Sequence, residues 1–191
     1  MQAIDLLRQR RSARALTEPA PDAAALHLLL EAAARAPDHG RLRPARFIVI
    51  RGPGRERFGE LLAAHLKRTQ PGASAEALAR EQAKALRAPL ILVVAAHVAE
   101  QAKIVAEQAK IPRIEQELSC AAAAHAIMLA AVALGFNAMW KTGGAAYDAQ
   151  VKEALGLEAA DAIIGFIYLG TEEGTPHEGP PRAPPALREW P

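Results

Sequence analysis

The spacing of apolar residues divides the chain into helical and extended segments. Apolar residues recur every three or four positions in six segments, five of which predict helices at residues 3–10, 22–37, 73–86, 113–135 and 147–155. The remaining segment, third along the chain, predicts a helix after Gly52-Pro53-Gly54, with Phe58, Leu61, Leu62 and Leu66 inward. Asp22 is the predicted N-cap of the second helix, because its carboxylate can accept a hydrogen bond from a first-turn amide. Gly135 is expected to end the fifth helix, since glycine adopts the left-handed conformation that often follows a helix.

Short apolar runs between these segments predict four strands, at residues 46–50, 89–96, 136–140 and 162–169. The run 89–96 has no polar residue, which is typical of a central strand that is buried on both faces. Helices and strands do not alternate in strict βα units. The pattern therefore predicts an α+β fold, with a sheet covered by helices.

Length and composition favour one globular domain. The chain has 191 residues, of which 51% are hydrophobic and 23% charged, so we expect a single domain at 1–191 rather than a disordered chain. The single cysteine, Cys120, cannot form an internal disulfide, which favours a reducing compartment, and we expect the cytoplasm. No signal peptide is predicted. The uncharged stretch 120–136 is short for a membrane span and contains His125, so we expect a buried helix and no membrane.

Two segments depart from this globular pattern. The tail at about 174–191 holds six of the fourteen prolines and is expected to be extended on the surface. Residues 99–104 and 106–111 both read Ala-Glu-Gln-Ala-Lys-Ile, with a period of seven. We expect this repeat to be an insertion that forms a mobile segment at the rim of the active site, outside the core. The alternative is a solvated insertion with no role.

Charge is unevenly distributed along the chain. The net charge is +2, but residues 1–57 hold eleven arginines against six acids, so this part carries +5 and the remainder −3. Residues 10–14 read Arg-Arg-Ser-Ala-Arg, and three guanidinium groups with a hydroxyl can bind a phosphate through charge-assisted hydrogen bonds. The alternative is a solvated basic helix end.

Several common site motifs are absent from the sequence. No Gly-x-Gly-x-x-Gly follows a strand, no Walker A lysine loop is present, and no two histidines lie four residues apart. Cys120 is followed by four alanines in a predicted helix, where a thiol acts as a small hydrophobic group. We therefore predict no metal site and no thiol nucleophile.

Two further motifs lie at the ends of predicted elements. Residues 36–40 (Ala-Pro-Asp-His-Gly) form a turn that could bring backbone groups close to a planar ligand, or could simply end a helix. Residues 140–143 (Trp-Lys-Thr-Gly) place an aromatic ring, a cation and a hydroxyl at a strand end, although burial of the tryptophan is equally compatible. Together with residues 10–14, these motifs resemble the nitroreductase family of FMN flavoproteins, and most closely its short, YdjA-like subgroup of NAD(P)H nitroreductases.

The resemblance covers nearly the whole chain and implies a three-layer α+β fold, with a mixed or antiparallel sheet flanked by helices. It also implies a homodimer with two FMN sites at the interface. The residues matched to the phosphate and the ribityl chain are Arg10, Arg11 and Ser12, and Arg14 is matched to the pyrimidine end of the ring.

The other matched residues come from two later segments. Trp140, Lys141 and Thr142 match the segment that closes on the flavin. Arg35, Pro37 and His39 match a loop that reaches the cofactor of the partner subunit. The family often continues this loop with Gln-Pro-Trp, where this chain has Arg-Pro-Ala at 43–45 and so lacks the glutamine and tryptophan side chains.

The resemblance further implies the reaction. NADH or NADPH would reduce FMN by hydride transfer, and the flavin would reduce a small organic acceptor such as a nitroaromatic, a quinone or an enone. No side chain is assigned as catalytic, because the chemistry occurs at flavin N5, and Arg14 would place positive charge near N1 and O2. Alternative reactions on the same fold are dehalogenation and consumption of the flavin itself. A non-catalytic protein that binds nucleic acid or another anionic partner is disfavoured by the charge of +2 and by 4% aromatic residues.

Overall fold

The structure is a computed structural model that describes residues 2–13, 15–99, 103–104, 109–172, 174, 183 and 185–190. Its main feature is a four-stranded sheet in which neighbouring strands are antiparallel and the order is β1-β2-β6-β5. These strands are β1 (Ala45–Arg51), β2 (Leu90–Ala96), β5 (Asn137–Lys141) and β6 (Ala162–Gly170). All seven residues of β2 are buried, which confirms the predicted central strand.

Two hydrophobic clusters lie on opposite faces of this sheet, because successive strand residues point in opposite directions. On the first, called the α3 face after helix α3 (Pro53–Thr69), Ile91 and Val93 of β2 pack with Phe58 and Leu62 of that helix. On the second, called the α5 face after helix α5 (Arg113–Ala133), Leu90, Leu92 and Val94 of β2 pack with residues of that helix and of helix α2 (Ala23–Ala33). The result is three layers, and the prediction of an α+β fold with a helix-covered sheet is confirmed.

Within the described part of the chain, six α-helices form the outer layers. Most of their predicted bounds agree with the structure within a few residues. They are α1 (Ala3–Gln9), α2 (Ala23–Ala33), α3 (Pro53–Thr69), α4 (Ala75–Ala83), α5 (Arg113–Ala133) and α6 (Ala149–Ala154). The Asp22 carboxylate caps α2 by accepting a 2.8 Å bond from the Ala25 amide, as predicted. Gly135 has φ of 86° and follows α5, where the Phe136 amide donates to the Ala131 carbonyl at 2.8 Å and closes the helix end.

The helix predicted at 147–155 begins later than the apolar pattern indicated. A 3₁₀ turn, Gly144–Tyr147, comes first, and α6 starts at Ala149 because the Asp148 carboxylate accepts a 3.0 Å bond from the Val151 amide. Asp148 is therefore an N-cap, a residue with non-helical backbone that the periodicity alone does not identify.

Helix α5 is the longest helix among the described residues, and one of its faces lies in the core. Cys120, Ala124 and Ile127 are fully buried there, which confirms the predicted buried segment, and burial raises the pKa of the Cys120 thiol to about 12. By length and composition α5 could cross a membrane, a test that core helices of soluble proteins also pass. Its outer face is apolar and open, with Ile114 57% and Leu118 59% exposed.

The repeat at 99–111 contains a short hairpin. Its strands are β3 (Lys103–Ile104) and β4 (Ala109–Lys110), paired antiparallel, while residues 100–102 and 105–108 lie outside the described part. Ile111 is 3% exposed, so the expectation that the whole repeat lies outside the core is wrong at its last residue. The described residues of the tail, Gly174, Ala183 and 185–190, form no helix or strand.

We expect deletion of residues 105–111 to change the free energy of unfolding by less than about 1 kcal/mol, as measured by urea denaturation. Because the two copies are identical, the shortened chain still places an isoleucine directly before Pro112, so the buried position is retained. A substitution of Ile111 by Asp is the matched control and should be strongly destabilising, since it places a charge in the core. A large loss of stability in the deletion variant itself would show that both copies are structural.

Candidate active site

The segment that carries the arginine cluster crosses one end of the sheet. The Ala13 amide donates to the carbonyl of Ala138 in β5 at 3.2 Å, and the Leu16 amide donates to the carbonyl of Arg87, just before β2, at 3.2 Å. Arg10 and Ser12 thus lie next to the start of β5. Arg14 lies outside the described residues.

Arg11 is engaged by a carboxylate. Both of its terminal guanidinium nitrogens donate to Glu172, which follows β6, and this hydrogen-bonded pair raises the pKa of Arg11. The Glu172 amide in turn donates to the Asn137 side chain at 3.2 Å. Arg11 therefore fastens the N-terminal segment to the end of the sheet. By contrast, Arg10 makes no ion pair with any residue that the structure describes.

A cavity of about 510 Å³ lies on the α3 face, and one of its lining residues is Arg87, whose carbonyl accepts the bond from Leu16. It lies between α3, the 3₁₀ turn Lys84–Leu86 and the loop that follows β5. The polar residues of its lining include His65, Lys84, Arg87, Lys141 and Thr142, and the apolar ones include Leu62, Leu66, Phe166 and Tyr168. The structure thus brings Lys141 and Thr142, two predicted site residues, to this cavity.

Positive charge dominates this cavity. Lys84, Arg87 and Lys141 face a single lining carboxylate, Glu81, which already pairs with Lys84. Burial raises the pKa of Tyr168 to about 12, so its phenol is neutral at physiological pH. The arrangement is suited to a ligand that combines a flat apolar part with negative charge.

Two glycines shape the loop that borders the cavity. Gly143 has φ of 103°, a conformation that L side chains rarely adopt. At Gly144 a Cβ atom would lie 2.6 Å from His65 Nε2, so a side chain at this position would displace the imidazole. The backbone of this loop at Gly144 therefore packs directly against His65 of α3.

The side chain of Trp140 lies on the opposite face of the sheet from this cavity. Its Nε1 donates to the Ile164 carbonyl at 3.2 Å, and its ring packs with the α5-face cluster. Because Lys141 is the next residue in the strand, its side chain points the other way, into the cavity. The tryptophan side chain is half-buried against that cluster and does not line the cavity on the α3 face.

The residues Arg35, Pro37 and His39 also lie away from the cavity. They follow α2 on the α5 face, where the Pro37 carbonyl accepts a 2.7 Å bond from Ser119 and His39 pairs with Glu115. Arg35 is exposed and has no side-chain partner among the described residues. Within one chain, the structure does not bring these three residues to the other predicted site residues.

The loop that follows is held by Asp38. Its carboxylate accepts bonds from the amides of Leu42 at 3.2 Å and Arg43 at 2.7 Å. Arg41 and Arg43 adopt φ values of 54° and 50°, in the region that usually requires glycine. This conformation occurs where the chain departs from the Gln-Pro-Trp pattern.

The cavity residues that were not predicted from the sequence include His65, Lys84, Arg87 and Tyr168. Lys84 and Arg87 lie three residues apart directly before the central strand, and this basic pair at a strand start was a usable signal. Tyr168 is itself buried among the residues of β6. Its contact with the cavity could be recognised only once the facing helix was known. His65 is one of six scattered histidines, and nothing in its local sequence distinguishes it.

Comparisons with known proteins agree with this fold. The model of the nitroreductase family matches residues 7–171. The Escherichia coli (strain K12) protein named "Putative NAD(P)H nitroreductase YdjA" is 41% identical over 173 residues, which span 91% of this chain and 90% of the relative. A Haemophilus influenzae protein named in the same way is 37% identical over 171 residues, spanning 90% of this chain and 89% of the relative.

Solved structures give the same result. A nitroreductase-like family protein from Bacillus cereus superposes with a TM-score of 0.78 at 24% identity, over 96% of this chain and 92% of its own. A Desulfovibrio desulfuricans protein solved in complex with FMN has a TM-score of 0.65 at 27% identity, over 93% of this chain and 91% of its own.

Fold and site together define an α+β oxidoreductase with its candidate active site on the α3 face of an antiparallel sheet. The chain belongs to the nitroreductase family, and the resemblance noted from its motifs is confirmed.

The contact between Trp140 and β6 leads to a stability prediction. A Cβ atom at Gly165 would lie 2.1 Å from Trp140 Nε1, so Gly165→Ala should force the indole from its position and lower the free energy of unfolding by about 1–3 kcal/mol. The measurement is urea denaturation. In a Trp140→Leu background the same substitution should cost much less, because the clash is removed.

Gly54→Ala is the control, since the nearest atom to its Cβ would be at an ordinary 3.6 Å. Equal costs for Gly165→Ala with and without Trp140 would contradict the proposed clash.

Proposed function

We propose that this protein is an FMN-dependent oxidoreductase that takes electrons from NADH or NADPH and reduces a small organic acceptor. The observation that carries the proposal is the cation-lined cavity on the α3 face, which is bordered by Lys141, Thr142 and Arg87. The Arg87 carbonyl binds the Leu16 amide, in the segment that follows Arg10–Ser12. The relatives named NAD(P)H nitroreductases and the FMN complex from Desulfovibrio desulfuricans support the same cofactor and co-substrate.

The residues present fit FMN. A cavity of about 510 Å³ is in the range of small-molecule sites, and its apolar lining suits a flat ring system. Its excess of cations over carboxylates suits both a phosphate and a reduced, anionic ring. When bound, FMN supplies the hydride chemistry, and the chain's residues bind it, orient it and place charge around it.

Each predicted residue takes its role from this arrangement. Arg10 and Ser12 bind the phosphate, since Arg10 has no ion pair within the described part of the chain, while Arg11 mainly holds the segment through Glu172. Lys141 and Thr142 border the ring with their side chains, whereas Trp140 contributes through the backbone and its packing. Arg14 remains our candidate for the positive charge near N1 and O2.

A homodimer completes the proposed site. Arg35, Pro37 and His39 lie on the α5 face, so they can serve a cofactor only if it is bound by a partner subunit. Helix α5 offers the matching surface, because its outer residues Ile114 and Leu118 are apolar and more than half exposed. Burying such a face against a second copy is the expected outcome for an apolar helix surface.

The acceptor is proposed only as a class: nitroaromatics, quinones or enones. Dehalogenation and consumption of the flavin remain the alternative reactions on this fold, and a cytoplasmic location remains a prediction. A panel of these acceptors with NADH and with NADPH, run on the flavin-loaded protein, distinguishes the reactions.

Binding of FMN tests the proposal directly. The purified protein should bind about one FMN per chain, and Arg10→Ala should weaken binding roughly 10- to 150-fold, as expected for loss of one charged contact. The measurement is quenching of FMN fluorescence on titration with protein. Arg8→Ala, which removes an exposed arginine from the last turn of α1, is the matched control and should leave the affinity unchanged within about twofold.

If the Arg10→Ala variant keeps stoichiometric FMN through dilution and gel filtration, the phosphate role of Arg10 is wrong. If the wild-type protein binds no FMN, the proposed function itself is wrong.

Light scattering tests the dimer. The wild-type protein should have about twice the chain mass of 20.3 kDa at micromolar concentration. Leu118→Asp should shift it toward the monomer, because an unpaired charge in a buried interface is strongly unfavourable. Leu86→Asp is the control, since Leu86 is 51% exposed in the turn after α4, on the α3 face. A monomeric wild-type protein, or a Leu118→Asp variant that stays dimeric, would contradict this arrangement.

A further inference from the structure

A histidine and a carboxylate form a hydrogen-bonded pair at the edge of the cavity. His65, on α3, has its Nδ1 2.7 Å from Asp148 Oδ2, and the side chains are only 15% and 14% exposed. The other oxygen of Asp148 accepts bonds from Arg68 at 2.9 Å and from the Val151 amide at 3.0 Å. Neither residue was assigned a role from the sequence.

The pair fixes the orientation of the imidazole. Burial opposes ionisation of Asp148, but the bonds from His65, the Val151 amide and Arg68 outweigh it and hold the pKa of Asp148 well below its usual range. An ionised carboxylate only accepts hydrogen bonds, so His65 must carry its proton on Nδ1 when neutral. Nε2 is then the atom that gains or loses a proton.

The free end of the imidazole lies at the cavity. Nε2 makes no hydrogen bond with any described residue, and it faces Gly144, where a Cβ would lie 2.6 Å away. Gly144 borders the cavity next to Thr142 and Gly143, in the loop after the end of β5, whereas the Arg10–Ser12 segment adjoins Ala138 near the start of that strand. His65 is thus beside the region proposed for the ring rather than beside the phosphate.

Several other charged or ionisable groups lie around His65. The groups that face it or share its cavity are Arg68 on α3, Asp148 before α6, Glu81, Lys84 and Arg87 around the turn after α4, Lys141 on β5 and Tyr168 on β6. Among the described lining residues, imidazole is the one side-chain type that ordinarily changes charge between pH 5 and 8.

We propose that His65 is the proton-storing residue of this site: its Nε2 takes up one proton from solvent when the bound cofactor is reduced and gives that proton to the acceptor. Asp148 is its positioning residue. The inference rests on the proposed function, since it requires FMN in the cavity.

The step balances in atoms and electrons. NADH or NADPH transfers a hydride to oxidised FMN, which leaves an anionic, two-electron-reduced ring and NAD⁺ or NADP⁺. His65 binds a proton from water, because a cation beside that negative charge is favoured. A quinone then takes the hydride from the ring and the proton from Nε2, forming one C–H or O–H bond and one O–H bond. Oxidised FMN and neutral His65 are restored.

The test is the pH dependence of the midpoint potential of bound FMN, measured by spectroelectrochemistry between pH 6 and 9. Each proton taken up with the electron pair contributes about 30 mV per pH unit. Wild type should show a region with a slope of about 60 mV per pH unit, from one proton on the ring and one on His65. His65→Asn should show about 30 mV in that region, since the asparagine amide can still donate to Asp148 but cannot titrate.

His27→Asn is the control, because His27 is an exposed residue of α2 paired with Glu31, and its slope should match wild type. Equal slopes in wild type and His65→Asn, with FMN bound in both, would overturn the inference and leave the proposed function standing. Failure of wild type to bind FMN would instead refute the proposed function.

If His65→Asn does not fold, nitrogen-15 NMR of the wild-type imidazoles tests the same inference. Nε2 of His65 should be unprotonated with oxidised FMN and protonated after reduction at one fixed pH near neutrality. No change in its protonation on reduction would overturn the inference.

Discussion

The structure depends on the complete burial of β2 between its neighbours β1 and β6. Seven consecutive buried residues form the backbone pairing of the sheet centre. From Leu90 to Val94 their side chains alternate between the two clusters, and Ala96 belongs to a third, with Val98 and Cys120. Because every neighbouring strand takes its register from β2, each residue of β5 and β6 is assigned to one face or the other. The cavity, the helix surfaces and the placement of each candidate site residue all follow from that division.

The elements themselves could be predicted from the sequence, since apolar periodicity and caps are local signals. Leu90–Ala96 and the end of α5 at Gly135 are examples, as the first is continuous in apolar residues and the second has a glycine where the helix must stop. The site could be predicted only in part. Lys141 of the predicted motif lines the cavity, but the side chain of its neighbour Trp140 lies on the opposite face. Which residues of a strand point to which face is known only when the neighbouring strands and helices are known.

The remaining site residues come from long-range contacts that leave no local trace. His65 and Asp148 are 83 residues apart and meet because α3 and the start of α6 pack on the same face of the sheet. Arg11 shows the converse case. It belongs to a motif suited to phosphate, yet Glu172, 161 residues away, occupies its guanidinium group. A sequence motif indicates which chemical groups are present. The tertiary contacts determine which of these groups remain available to bind a ligand.

The bond between Arg11 and Glu172 also determines where the C-terminal part of the chain departs from the domain. Thr17 and Thr171 form a bridge beside it, so the beginning and the end of the folded domain lie side by side at the sheet end that carries Arg10 and Ser12. Any segment that follows residue 172 sets out from the mouth of the proposed phosphate site. An affinity tag, a fluorescent protein or a second enzyme joined directly after residue 172 would therefore lie beside the proposed phosphate site.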